Sequence, residues 1–94
     1  MRPSEALAKH RDEVLEIIGR YPVSNPRVFG SVARGEDVEG SDLDLLVDRY
    51  GRMTFADLFQ LEGEISALLG CPVEIGTGLK PHAMSTAATD LRAL

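Results

Sequence analysis

Apolar residues recur along this chain in two rhythms, one of three to four positions and one of two. Leu7, Val14, Ile17 and Ile18 share a helical face while Lys9, Arg11, Glu13 and Glu16 fall elsewhere. With Pro3 and Ser4 as a helix start, the pattern predicts a helix from Pro3 to about Gly19, lying on a sheet. A second stripe, Leu58, Leu61, Ile65 and Leu68 with Phe55 and Leu69, follows a Thr54/Asp57 capping pair and stops at Gly70. The rhythm of two governs the stretch between them. It puts Asp42, Asp44, Leu46 and Asp48 on one face of a strand and Leu43, Leu45 and Val47 on the other. One face is core; the other carries acid.

Arg27-Val28-Phe29 reads as a short strand stopping at Gly30, and Tyr21 to Pro26, with its prolines, reads as a loop. Ser31 to Arg34 allow one helical turn before Gly35 breaks it, and a polar loop runs from Glu36 to Ser41. Pro72-Val73-Glu74-Ile75 is a third strand, closed by Gly76 and Gly78, and Pro81 to Leu91 carry a weaker pattern for a last helix. Helix, strand, strand, helix, strand, helix predicts an α/β (α+β) fold with a small mixed β-sheet flanked by helices. A chain of 94 residues suits a single domain, 1–94.

Composition narrows the partners. Five aromatic residues and no Trp argue against a platform for stacked bases, and a net charge of −5 opposes unassisted binding to nucleic acid or an anionic membrane. A cation or a basic partner suits such a chain. Cys71 is alone, which excludes an intrachain disulfide, and the opening residues resemble neither a signal peptide nor a spanning segment, so a cytoplasmic location is expected. His10 and His82 lack metal-ligand spacing.

Candidate chemistry gathers between Phe29 and Asp48. Carboxylates at i and i+2 of a strand, Asp42 and Asp44, point the same way about 7 Å apart and can converge on a cation. Hard oxygens on a rigid element suit Mg²⁺, which keeps several waters and takes further ligands from substrate phosphates. Gly30 permits close backbone approach, Ser31 offers a hydroxyl, and the following turn aims N–H groups at an anion. If the third strand lies parallel to the second, Glu74 supplies a third carboxylate, able to hold a second metal or help deprotonate an attacking hydroxyl. Arg34 either contacts phosphate or pairs with the acidic loop; Lys80 either reaches phosphate or is a surface lysine. The plainer readings are a strand-ending turn at Gly30-Ser31 and a solvated face at Asp42 and Asp44. Against them, Glu36, Asp37, Glu39 and Asp48 nearby concentrate repulsion that a cation would relieve.

Gly30-Ser31, ten residues, then Asp42-Leu43-Asp44 resembles the G-S-x10-D-x-D pattern of minimal nucleotidyltransferases of the polymerase-beta-like superfamily. The similarity extends through Arg34-Gly35-Glu36, the run Ser41 to Leu45 and Val73-Glu74-Ile75, roughly from Arg11 to Pro81. The resemblance implies the nucleotidyltransferase fold and, since many members are antitoxins encoded beside a HEPN-domain ribonuclease toxin, transfer of AMP from ATP to a tyrosine of that toxin. It places Gly30 and Ser31 on the triphosphate, Asp42 and Asp44 on two Mg²⁺ ions, and Glu74 as the third acid and metal ligand; Arg34 joins Gly30 and Ser31 as a candidate nucleotide-binding residue. Most small relatives carry Asp at that last position, so an antitoxin that neutralises its partner by complex formation alone is the alternative. A chain this small has no second domain for an acceptor, so the acceptor is expected on another protein in a hetero-oligomer. ATP follows from the resemblance alone, because no residue reads the base.

Overall fold

The computed structural model describes residues 1–77 and 92–94. The chain runs α1 (Pro3–Lys9), α2 (Arg11–Ile18), β1 (Val23–Phe29), α3 (Ser31–Arg34), β2 (Leu43–Arg49), α4 (Phe55–Leu69), β3 (Val73–Thr77) and β4 (Arg92–Ala93). One mixed sheet has the order β3-β2-β1-β4, with β2 antiparallel to β1 and parallel to β3. The alternation in β2 sets the layering: Leu43, Leu45 and Val47 are fully buried and meet Val14, Ile18, Leu61, Ile65 and Leu69 from the helices, with Val23, Val28 and Ile75 from neighbouring strands. Each such side chain contributes about 1.5–3 kcal/mol when fully buried. Asp44 and Asp48, on the other β2 face, are half-buried, but Leu46 between them is buried, its side chain close beside Gly76.

The capping pattern ahead of α4 forms as expected. Asp57 N–H donates to Thr54 Oγ1 and Thr54 N–H to Asp57 Oδ2, both at 3.1 Å, and Gly70 ends the helix in the left-handed region at φ 72°.

Other elements depart from the sequence reading. The first helix is two: at His10 (φ −113°, ψ 22°) the chain leaves helical geometry, and the ring Nδ1 lies 2.8 Å from Glu13 Oε1. Part of the expected loop is strand, because β1 begins at Val23 and absorbs its proline through a register shift between Ser24 and Arg27, with Asn25 at φ 50°. Phe55 is 81% exposed, not core; it lies about 80° around the helix from Ile65, on the outer side with Phe59. The C-terminal residues add a strand, with Arg92 beside Val28 and Ala93 beside Arg27. Gly78, Lys80, His82 and the expected helix from Pro81 to Leu91 lie outside the described residues. Among the described residues no helix is long and apolar enough to cross a membrane.

Candidate active site

Two chain reversals bring the motif halves to one end of the sheet. β1 ends beside the start of β2, with Phe29 opposite Asp44, and the chain then turns at Gly30 with φ 76° and ψ −151°. That region is essentially closed to residues with a side chain. Space is equally restrictive, since a Cβ on Gly30 would lie 2.9 Å from Asp44 Oδ2. The Gly30 backbone therefore rests directly against the carboxylate. α3 starts at Ser31, and Gly35, at φ 72°, ends it while Glu36 N–H returns to the Ser31 carbonyl at 2.8 Å.

The parallel partner supplies the third acid. Leu43 N–H donates to the Pro72 carbonyl at 2.9 Å, and the resulting register sets Asp44 opposite Glu74. Paired residues of adjacent strands present their side chains to the same face, about 5 Å apart. Asp42 immediately precedes β2 and is exposed, as is Glu74, whereas Asp44 is half-buried. Burial, then the charges of Glu74 and Asp42, push the Asp44 carboxyl above its ordinary value. Among the described residues no three His, Cys, Asp or Glu side chains lie together in a group that could hold a metal ion. Asp44 and Glu74, paired on adjacent strands, would offer the hard carboxylate oxygens that Mg²⁺ takes, with its other positions left to water and phosphate.

The other acids counted as part of the local repulsion are engaged separately. Asp48 accepts from Arg27 Nη2 at 2.8 Å and Asn25 Nδ2 at 3.2 Å, and the Asn25 and Arg27 hydrogen bonds hold its carboxyl below the ordinary value. Asp37 is 2% exposed and accepts the Ser4 N–H at 2.8 Å, closing the first turn of α1. Glu36 lies 3.2 Å from Arg34 Nε, and Glu39 lies 3.5 Å from the terminal ammonium. The like charges that act on Asp44 are those of Glu74 and Asp42. Neither Asp37 nor Asp48 could be sorted from its neighbours by sequence, since Ser4 and Arg27 lie 33 and 21 residues away. Arg34 is exposed on α3, one turn after a half-buried Ser31. Cys71 is half-buried against the core, its thiol pushed up by burial and then by Asp42.

Residues 7–87 match the nucleotidyltransferase domain. The chain belongs to this family. A candidate protein adenylyltransferase of Methanocaldococcus jannaschii is 40% identical over 78 residues, 83% of this chain and 76% of the relative. Protein adenylyltransferase MntA of Thermococcus cleftensis is 39% identical over 69 residues, 73% of this chain and 67% of that one. The solved structure of a candidate minimal nucleotidyltransferase superposes with a TM-score of 0.83 at 39% identity, covering 97% of this chain and 95% of the other. A toxin–antitoxin crystal structure with AMP-PNP, 14% identical, shares the fold at a TM-score of 0.76 over 87% of this nucleotidyltransferase and 69% of that chain. The chain is accordingly an enzyme of the nucleotidyltransferase class, similar to a minimal nucleotidyltransferase and to proteins named protein adenylyltransferases.

Proposed function

We propose that this nucleotidyltransferase is a Mg²⁺-dependent antitoxin that transfers AMP from ATP to a tyrosine hydroxyl of a HEPN-type ribonuclease toxin in a hetero-oligomer. The observation that carries the reading is the contact of the Gly30 turn with Asp44, itself in register with Glu74: a phosphate-sized backbone turn and the acids share one edge. The names of the relatives, protein adenylyltransferases with MntA among them, support the reaction, and the toxin–antitoxin fold neighbour with AMP-PNP supports a nucleoside triphosphate and a toxin partner. In this reading Gly30 and Ser31 hold the triphosphate through backbone N–H groups and the Ser31 hydroxyl, with Arg34 at its outer side. Asp42 and Asp44, with Glu74, would hold two Mg²⁺ ions, which supply charge neutralisation at the phosphates when bound. The acceptor oxygen bonds to the α-phosphorus as the bond to the β-phosphate oxygen breaks, pyrophosphate leaves, and a Glu74 carboxylate oxygen takes the hydroxyl proton. Incubation with α-labelled ATP, Mg²⁺ and the partner toxin should label the toxin, and Asp42→Asn with Asp44→Asn should abolish labelling. Equal labelling by the double variant would sink this reading.

The exposed Glu74, and the lack among the described residues of three acids grouped to hold a metal ion, favour one competing reading, neutralisation by complex formation alone. In that case the double variant would still protect cells from the toxin.

A further inference from the structure

The ten residues between Ser31 and Asp42 are a built object. Gly35 takes the left-handed conformation and Glu36 folds back onto Ser31. Farther on, Val38 N–H donates to Ser41 Oγ at 2.9 Å and Ser41 N–H returns to the Val38 carbonyl at 3.0 Å, with Gly40 at φ 92° in the turn. Each half is closed on itself. Between them sits Asp37, which is held from elsewhere: its Oδ2 accepts the Ser4 N–H at 2.8 Å, in the first turn of α1. Burial works to raise the carboxyl's pKa, yet hydrogen bonds from Ser4 and from its own N–H, with the charge of Arg2, together outweigh it and keep the group below its ordinary value, so it is ionised at neutral pH. Its Oδ1 is buried without a partner. An apolar side chain would fill this space without the desolvation cost of a half-satisfied carboxylate. The spacer thus joins two self-contained turns through one buried anchor to a helix end distant in sequence.

We propose that Asp37 is a positioning residue of the nucleotide site: by holding the Ser4 N–H it fixes the middle of the spacer, and with it the placement of Ser31 and Asp42, which flank the ladder that pairs Phe29 with Asp44 and are not held by it. The proposal rests on the nucleotide reading of the site and adds a residue that touches neither phosphate nor metal. Misplacing a binding group through its supporting partner typically costs about 10- to 100-fold in affinity or activity. Titration calorimetry of the full chain with ATP and Mg²⁺, without acceptor, should show Asp37→Ala weakened by about that factor at a temperature where it is folded. Asp37→Asn keeps an oxygen for the Ser4 amide and should recover most of the affinity. A role in folding alone would lower the melting temperature of Asp37→Ala and leave its dissociation constant at the wild-type value, and that result would overturn the proposal.

A measurement on the unmodified chain covers the case in which Asp37→Ala does not fold. Coupling between two sites is reciprocal, so saturating ATP and Mg²⁺ must slow hydrogen exchange at the Ser4 amide. Unchanged exchange at saturation would also overturn the proposal. A wild-type chain that binds no ATP sinks the nucleotide reading instead. Positioning is then decided by amide resonances alone: Asp37→Asn should shift those of Ser31 and Asp42 less than Asp37→Ala does, and equal spectra for both variants and wild type would refute it.

Discussion

Replacing Gly30 with alanine tests the geometry of the site most directly. The substitution acts twice. At φ 76° and ψ −151° the backbone occupies a region open essentially to glycine, which costs on the order of 1–3 kcal/mol for another residue. The added Cβ also meets Asp44 Oδ2 at 2.9 Å, where real Cβ contacts do not occur, so the carboxylate must turn aside. The atom met is the end of a half-buried side chain, so this part is the cost of pushing the carboxylate off its rotamer, about 0.5–1.5 kcal/mol. The sum, about 1.5–4.5 kcal/mol, is a large part of the stability of a small domain. Urea melts followed by circular dichroism measure it, and a double-mutant cycle separates the parts. In an Asp44→Ala background the nearest remaining Asp44 atom, Cβ, lies 4.0 Å away, so only the backbone part survives. The cycle should give a coupling of about 0.5–1.5 kcal/mol. Zero coupling would refute the contact between turn and carboxylate. Wild-type stability in Gly30→Ala would refute the backbone argument as well, and full retention of toxin labelling would remove the turn from the site.

Four further expectations use other parts of the molecule. Gly63 lies within α4 with nothing near its would-be Cβ, so Gly63→Ala should stabilise the chain by about 0.5–1 kcal/mol in the same melts. Asp44 has a folded-state pKa raised above 3.8, so its ionised form weakens folding once pH passes the raised value, and below 3.8 the penalty is absent. Asp44→Asn should therefore melt above wild type at pH 7 in EDTA, with the difference closing toward pH 3, while abolishing transfer. Mg²⁺ should raise the melting temperature of wild type, EDTA should reverse the rise, and the Asp42→Asn/Asp44→Asn chain should show neither response. Glu62 Oε2 accepts the Ile75 N–H at 2.7 Å, so Glu62→Ala should cost about 1–2 kcal/mol in urea melts and speed exchange of the Ile75 amide.

Local rules were enough wherever a residue's role is decided by near neighbours. The capped start of α4, its left-handed end at Gly70 and the buried alternation of Leu43, Leu45 and Val47 follow from spacing and propensity. The turn at Gly30 and the acids at 42 and 44 were legible for the same reason. Glu74 was legible only conditionally, because its place depends on a parallel pairing that no local pattern specifies. What escaped was non-local. His10 interrupts a helical pattern without proline or glycine, and strand β1 tolerates Pro26 through a bulge that depends on β2 as partner. Phe55 satisfied the spacing of a core residue but sits at the rim of the stripe, where the sheet no longer covers the helix. Asp37 and Asp48 looked like members of an acidic cluster and are instead fixed by partners from distant segments.

The bulge that lets Pro26 into β1 bears on how this protein meets others. Proline has no N–H to offer a neighbouring strand, and β4 reaches Pro26 only by donating Leu94 N–H to its carbonyl at 3.0 Å. Among the described residues the strand on this side is two residues long. On the opposite edge the Ile75 N–H is already occupied by Glu62. Among the described residues, Pro26 and the Ile75 amide are thus poor points for an incoming backbone to extend the sheet, whether from a second copy or from a client chain. At these two positions a partner would have to be met by side chains and not by shared β-structure.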